Sequence, residues 1–221
     1  MDRFERLFSF VIKPWVLVAF IGFVFFSFFF LDRPIAFFFH ALDSKTKLPF
    51  LSIFTKLGSN VFYFGPLFIL AVCFRYIFKN KKWETRIWFL WFCVLISNVI
   101  CFALKVSLGR ARPFLWFDSD LYGFYWMKLQ PRFWSLPSGH TTTVMSLLFG
   151  LCILFPRYFY AFMMLGVMVV FSRIILTEHY LSDVLVASYL ALVEIGLLLV
   201  FFRLKSTQAY NLLKGTLNKT A

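Results

Sequence analysis

The chain has 221 residues, of which 61% are hydrophobic and only 15% are charged. A water-soluble surface cannot be built from so few polar residues, so this composition predicts an integral membrane protein and excludes a soluble domain. The net charge of +13 does not indicate a nucleic-acid partner, because most basic residues flank apolar segments, as topology signals and headgroup contacts do.

The N-terminal region predicts a retained membrane helix. Arg3, Arg6 and Lys13 precede the first apolar run, an order that a secretory signal would also show. The run is long for a signal peptide, and LDRP follows it instead of a small-residue cleavage site. We therefore expect this run to remain as the first span.

Six apolar segments are long enough, or nearly so, to cross the hydrocarbon core. They cover residues 15–31, 61–78, 87–104, 139–155, 158–175 and 181–202. Residues 37–58 are apolar but interrupted by charges and Pro49, which predicts helices lying at the membrane interface. The predicted fold is an all-α integral membrane protein, a six-transmembrane-helix bundle forming a single membrane-embedded domain over residues 1–221.

The basic residues predict the orientation of this bundle. Six spans place both termini on one side, which holds twelve Lys and Arg residues, against ten on the other side. Three of those ten are assigned below to a candidate site, which leaves seven. The positive-inside rule therefore predicts cytoplasmic termini.

Three polar clusters interrupt the apolar pattern: KVSLGRARP at 105–113, PSGH at 137–140 and SRIILTEHYLSD at 172–183. They follow the third span, precede the fourth and separate the fifth from the sixth. All three are therefore expected on the same membrane face, together with the interfacial helices. Clusters of ionisable residues at membrane depth usually line a site or a pathway.

Lys105, Arg112 and Arg173 supply fixed positive charge in these clusters, as an anionic substrate requires. Ser138 is a plausible N-cap, and the backbone N–H groups that follow it would form an anion cradle. Lys105 and Arg112 alone would be read as interfacial anchors. Together, the clusters predict a phosphate pocket.

His179 and Asp183 are four residues apart, a spacing that stacks them on one helix face and predicts an oriented nucleophile or base. Arg173 lies six residues before His179, about 240° around a continuous helix. Both could face one ligand only if the helix breaks between them. We therefore predict a break near Leu176 and Thr177, with Thr177 capping the last span and His179 in its first turn.

His140 is placed on a different helix from His179. In-line displacement at phosphorus needs a nucleophile on one side and an acid at the leaving oxygen on the other, and two histidines can meet that demand. No set of Cys, His or carboxylate residues has the ligand count of a catalytic zinc or two-metal site. The sequence predicts a mechanism without a metal or other cofactor.

The three clusters resemble the signature of the type-2 phosphatidic acid phosphatase superfamily: KxxxxxxRP, then PSGH, then SRxxxxxHxxxD. Every specified position matches in order. The membrane branch has six spans, so the resemblance covers about residues 10–202. It implies that His179 forms a phosphohistidine, that Asp183 orients it, and that His140 protonates the leaving group and later activates water. It also implies a phosphate-binding set: Lys105, Arg112, Ser138, Gly139 and Arg173.

Several residues near the signature have a less specific interpretation. Arg110, Asp43 and Thr141 are candidates for supporting groups around the site. The loop at 114–135 is rich in aromatic residues, which is typical of an interfacial belt, although a cover over the substrate would have the same composition.

The predicted function is a metal-independent lipid phosphatase of the bacterial inner membrane, with its active site facing the periplasm. A small, loop-poor chain leaves the pocket open to a bulky headgroup, which favours lipid A phosphate. Undecaprenyl diphosphate and phosphatidylglycerol phosphate remain alternatives, as does transfer of the phosphoryl group to a second lipid. A transporter would spread its charges through the membrane, and the related vanadate haloperoxidases are soluble. The sequence identifies no protein partner.

Overall fold

The computed structural model describes residues 1–43, 47, 51, 58, 61–205 and 207–214. Its regular structure in these ranges is helical, with one isolated bridge between Arg110 and Phe124. The predicted all-α class is confirmed. The helices are α1 (Arg3–Val11), α2 (Pro14–Phe26), a π-helical segment (Ser27–Leu31), α3 (Asp32–Ala41), α4 (Val61–Tyr76), α5 (Lys81–Leu108), α6 (Pro113–Ser119), α7 (Gly139–Leu154), α8 (Phe159–Ile175), α9 (Leu181–Lys205) and α10 (Thr207–Lys214).

Four helical runs of the described chain are long and apolar enough to cross a bilayer: Pro14–Ala41, Lys81–Leu108, Pro156–Ile175 and Leu181–Lys205. The protein is therefore an integral membrane protein. Helices α4 and α7 have 16 residues each, about 24 Å of helix, which is less than a hydrocarbon core of about 30 Å. The count of six spans is not confirmed as such and stays a prediction for these two helices.

The first span is longer than predicted. Helix α2, the π-helical segment and α3 form one run from Pro14 to Ala41, whereas the sequence predicted an end at residue 31. The wider π turn keeps the chain helical through LDRP, so residues 37–41 end this helix instead of starting an interfacial one. Most of the remaining interfacial segment, 44–57, lies outside the described residues.

Helix α7 is the centre of the bundle. It packs against α5, α8 and α9, and its buried side chains extend from its first turn to its last. Helix α2 is the opposite case, because none of its residues is buried and its apolar side chains face the lipid. The packing of α7 fixes the position of its N-terminus, where Ser138 and His140 lie.

Four helix ends meet on one side of this bundle. Helix α5 ends at Gly109, which adopts a left-handed conformation with φ 58°, a geometry that glycine tolerates best. On the same side of the bundle, α7 begins, α8 ends and α9 begins. The backbone of Ser138 donates to the carbonyl of Asp183 over 3.3 Å, so the starts of α7 and α9 are in direct contact.

Candidate active site

The structure brings Lys105 to the N-terminus of α7. Its ammonium donates to the carbonyl of Trp134 over 2.9 Å. A Cβ atom at Gly139 would lie 3.6 Å from the Lys105 Nζ atom, so the cation is adjacent to the first residue of the helix. The positive charge and the exposed N–H groups of the helix start reinforce each other as an anion site.

Ser138 occupies the N-cap position of α7, as predicted, but its side chain makes no capping hydrogen bond. Its hydroxyl is buried and, like Thr141 Oγ1 and Arg112 Nε, has no hydrogen-bond partner among the described residues. Buried polar atoms are nearly always paired in native proteins. Ser138 and Thr141 both belong to the start of α7, and all three groups are donors that a bound oxyanion could satisfy.

Arg112 and Arg173 approach each other through the carboxylate of Glu178. Glu178 Oε2 lies 3.7 Å from Arg112 Nη1 and 3.8 Å from Arg173 Nη2. Arg173 is almost completely buried, whereas Glu178 retains about a third of its side-chain exposure. An anionic group therefore already occupies the space between the two guanidinium groups. Glu178 is not among the residues that the sequence pattern predicts for the site.

The predicted helix break is confirmed, but its details differ. Helix α8 ends at Ile175 and α9 begins at Leu181. Thr177 does not cap α9; it lies four residues before it with φ 52°. His179 is in the connecting turn and not in the first helical turn. Asp183 takes the capping role instead, because its carboxylate accepts the backbone N–H of Tyr180 over 2.9 Å.

The ring of His179 is buried, and its contacts fix its tautomer. Nδ1 lies 2.8 Å from the carbonyl oxygen of Ser135 and 3.6 Å from Asp183 Oδ2. Because a carbonyl oxygen only accepts, Nδ1 must carry the proton, which leaves the Nε2 lone pair of the neutral ring for chemistry. The Asp183 carboxylate is thus near the ring, but the hydrogen-bond acceptor is the Ser135 carbonyl.

The surroundings also keep His179 neutral. Burial lowers the pKa of the imidazole well below its ordinary value, and the charges of Arg112, Arg173, Lys105 and His140 lower it further. The cations predicted to bind phosphate are thus among the groups that lower the pKa of this imidazole. A neutral imidazole at physiological pH is the form that can attack phosphorus.

Asp183 is held by three donors. Its Oδ1 accepts from Arg110 over 2.5 Å, and its Oδ2 accepts from the Ser135 hydroxyl over 2.6 Å and from the backbone of Tyr180. Ser135 therefore links Asp183 to His179, since its hydroxyl contacts the carboxylate and its carbonyl contacts the ring. Ser135 was not predicted, because a backbone acceptor leaves no mark in sequence.

His140 lies in the first turn of α7 beside a cavity of about 260 Å³. Lys105 and Gly139 line one part of this cavity, and Asn98 and Thr143 line another. A Cβ atom at Gly58 would approach the His140 Cβ to 2.6 Å, so glycine is required there for the histidine to keep its position. The cavity gives a substrate group room next to this imidazole.

Asp43, the remaining candidate, lines a different, smaller cavity that also contains His40. Arg110, by contrast, is a direct partner of Asp183, together with the unpredicted Asp32. A buried charge such as Asp32 in an apolar run is the signal that could have revealed this partner.

The family model of the PAP2 superfamily matches residues 86–206. Proteins named lipid A 1-phosphatase from Rhizobium johnstonii and Rhizobium etli are 36% and 35% identical over 97 residues, which is 44% of this chain and 40% and 42% of theirs. The match thus spans about two fifths of the length of these curated relatives.

A solved structure described as the first transmembrane PAP2 type phosphatidylglycerolphosphate phosphatase, from Bacillus subtilis, aligns with 93% of this chain and 94% of its own. The sequence identity is 16% and the TM-score is 0.45. The family match covers more than half of the chain and includes all three polar clusters. The chain belongs to the PAP2 superfamily.

Proposed function

We propose that the protein is a lipid phosphatase that works through a phosphohistidine on His179. One observation carries the proposal: the Nδ1 atom of His179 is committed to the Ser135 carbonyl, which leaves Nε2 without a proton, and the guanidinium groups of Arg112 and Arg173 meet at Glu178, the residue before His179. A substrate phosphate bound to those cations would present its phosphorus atom to this nitrogen.

The reaction takes two steps. In the first, Nε2 of His179 bonds to phosphorus while the bond to the leaving oxygen breaks, and His140 gives that oxygen a proton. In the second, His140 takes a proton from water as the water oxygen attacks phosphorus. The N–P bond then breaks, which releases inorganic phosphate and restores both imidazoles.

The cationic residues perform the electrostatic work. Lys105, Arg112 and Arg173, with the N–H groups that follow Ser138, neutralise the charge on the phosphoryl oxygens in the transition state. Among the described residues, no group of three or more His, Cys, Asp or Glu side chains is placed to hold a metal ion. We infer a metal-independent reaction, so a chelator should not reduce the rate.

A lipid A phosphate is our proposed substrate. The relatives named lipid A 1-phosphatase support it. We place the single-domain enzyme in the bacterial inner membrane with six spans. The distribution of Lys and Arg supports cytoplasmic termini and a periplasmic site.

Purified protein assayed on a panel of lipid phosphates tests this function. We expect inorganic phosphate from lipid A phosphate, faster than from undecaprenyl diphosphate or phosphatidylglycerol phosphate. An acid-labile phosphoenzyme should be trapped with the wild type and be absent from His179→Ala, whose kcat falls by about a thousandfold or more. His140→Ala should lower kcat by about 10²- to 10⁴-fold.

His40→Ala is the matched control, because the His40 ring is exposed and stacks on Phe117. Its phosphoenzyme and kcat should equal those of the wild type. Full activity in His179→Ala, or strong inhibition by a chelator, would refute the mechanism. Labelled water separates hydrolysis from transfer: solvent oxygen in the released phosphate means hydrolysis, whereas a labelled second lipid means transfer.

A further inference from the structure

A second cluster of buried charge lies behind the candidate active site. It contains one cation, Arg110, between two carboxylates, Asp32 and Asp183, and all three side chains are at most 1% exposed. Arg110 Nη2 donates to Asp32 over 2.6 Å, and its Nη1 donates to Asp183. The planar guanidinium thus joins the two carboxylates through separate nitrogen atoms.

Asp32 accepts several further hydrogen bonds. Its oxygens receive the backbone N–H of Ser182 over 2.9 Å and the Ser182 hydroxyl over 2.5 Å. The hydroxyl of Ser27 donates to it over 3.1 Å. A buried carboxylate with this many donors is rigidly held, so it fixes the guanidinium that it binds.

The π-helical segment explains how a residue of the first span reaches this place. Ser27 and Phe28 belong to the segment, and Asp32 follows it directly. The ring of Phe28 lies 4.9 Å from the Arg110 guanidinium carbon, and that of Tyr180 lies 4.7 Å from it. The aromatic rings exclude water, so the charges interact in surroundings with a low effective dielectric constant.

We propose that Asp32 is a positioning residue for the phosphatase reaction, acting through Arg110 on the unit formed by Asp183, Ser135 and His179. Asp32 lies outside the region that the family model matches, 86–206. The path has four contacts: Asp32 fixes Arg110, Arg110 fixes Asp183, Asp183 fixes Ser135, and the Ser135 carbonyl holds His179. The inference rests on the proposed function of His179.

Asp32→Asn tests the inference because it keeps the shape of the side chain and removes its charge. We expect kcat and the rate of phosphoenzyme formation to fall by about 10- to 100-fold, as for other residues that orient a reacting group. KM should change by less than about twofold, because the phosphate-binding cations are not altered. A merely structural role would lower the folded fraction but leave the kcat of the folded enzyme unchanged.

A double-mutant cycle identifies the path. If Asp32 acts through Arg110, adding Asp32→Asn to an Arg110→Met background should change kcat by less than about twofold. If the factors by which the two single substitutions lower kcat instead multiply in the double variant, the inference is overturned. A wild-type kcat in Asp32→Asn would also overturn it. If Asp32→Asn does not fold, Ser27→Ala removes one donor to Asp32 and keeps the charges of Asp32 and Arg110. Its kcat should fall in the same direction, and an unchanged kcat there overturns the inference.

Glu5→Gln is the matched control. Glu5 is also a carboxylate of an N-terminal helix, paired with Lys214 over 2.9 Å, but this pair lies near the opposite end of α9 from Asp183. Its kcat should equal that of the wild type. A wild type without phosphoenzyme would refute the proposed function itself, whereas an active wild type, an inactive His179→Ala and an unimpaired Asp32→Asn would refute only the role of Asp32.

Discussion

The orientation of the His179 ring depends on a backbone atom. The spacing of His179 and Asp183 predicted a direct contact between ring and carboxylate, but the structure puts the Ser135 carbonyl at 2.8 Å and the carboxylate at 3.6 Å. Sequence spacing identifies side chains on one face of a helix. It cannot identify a carbonyl contributed by a loop 44 residues earlier, because every residue has one.

The pH dependence of kcat/KM should report the state of His179. Its pKa is lowered by burial and by Arg112, Arg173, Lys105 and His140, so the neutral, reactive form should persist below pH 6.5. Arg112→Gln removes one of these cations and should raise the pKa. We expect the acid limb of its kcat/KM profile to move to higher pH, in addition to the loss of phosphate binding.

The comparison between wild type and Arg112→Gln controls for the substrate, because ionisation of the phosphate group contributes equally to both profiles. Profiles measured from pH 4.5 to 8 on the same lipid phosphate are sufficient. An acid limb that stays in place, or that moves to lower pH, would contradict the electrostatic picture of the site.

At the scale of elements, the sequence predicted which segments are helical and which ends meet, because apolar length and the parity of spans are properties of the chain itself. It did not predict the π turn at Ser27–Leu31 or the position of His179 before α9. Both depend on tertiary partners. Asp32 is compatible with a continued apolar helix only because Arg110 neutralises it.

Close helix packing around α7 depends on small residues. A Cβ atom at Gly150 of α7 would lie 2.8 Å from Leu90 Cδ2 and 3.2 Å from Cys93 Sγ of α5. Gly166 of α8 meets α7 in the same way, with Met145 Sδ at 2.7 Å from its virtual Cβ. Glycines at such contacts allow membrane helices to approach closely.

Gly150→Val should therefore destabilise the protein. The added side chain must displace Leu90 and Cys93, and overpacking of this kind costs about 1–3 kcal/mol. The midpoint of thermal unfolding in detergent, followed by circular dichroism, measures the loss. Gly22→Val is the control, since a Cβ there meets no atom within 4 Å, and an equal loss in both variants would contradict this account of the packing.

At the scale of the whole molecule, the candidate active site and Lys82 lie at opposite ends of α5. Leu129, in the loop on the side of the site, is 73% exposed, and Lys82 is exposed at the start of α5. The protein has four free cysteines, so single reporter cysteines require a background in which these are replaced. The two positions then report the two faces of the membrane.

Labelling with a membrane-impermeant maleimide tests the orientation. We expect Leu129→Cys to react in cells whose outer membrane alone has been permeabilised, because the site should face the periplasm. Lys82→Cys should react only after the inner membrane is opened, because the excess of Lys and Arg favours the cytoplasm for that side. The reverse pattern would contradict the orientation, and labelling of both from one side would contradict the predicted parity of spans.

The position of Glu178 between Arg112 and Arg173 has a consequence for turnover. The carboxylate is a tethered counter-ion, so under the proposed function a substrate phosphate would have to displace it from the two guanidinium groups. Inorganic phosphate keeps no acyl chains in the bilayer, and it would compete with Glu178 for the same two cations. Such competition would favour release of the product.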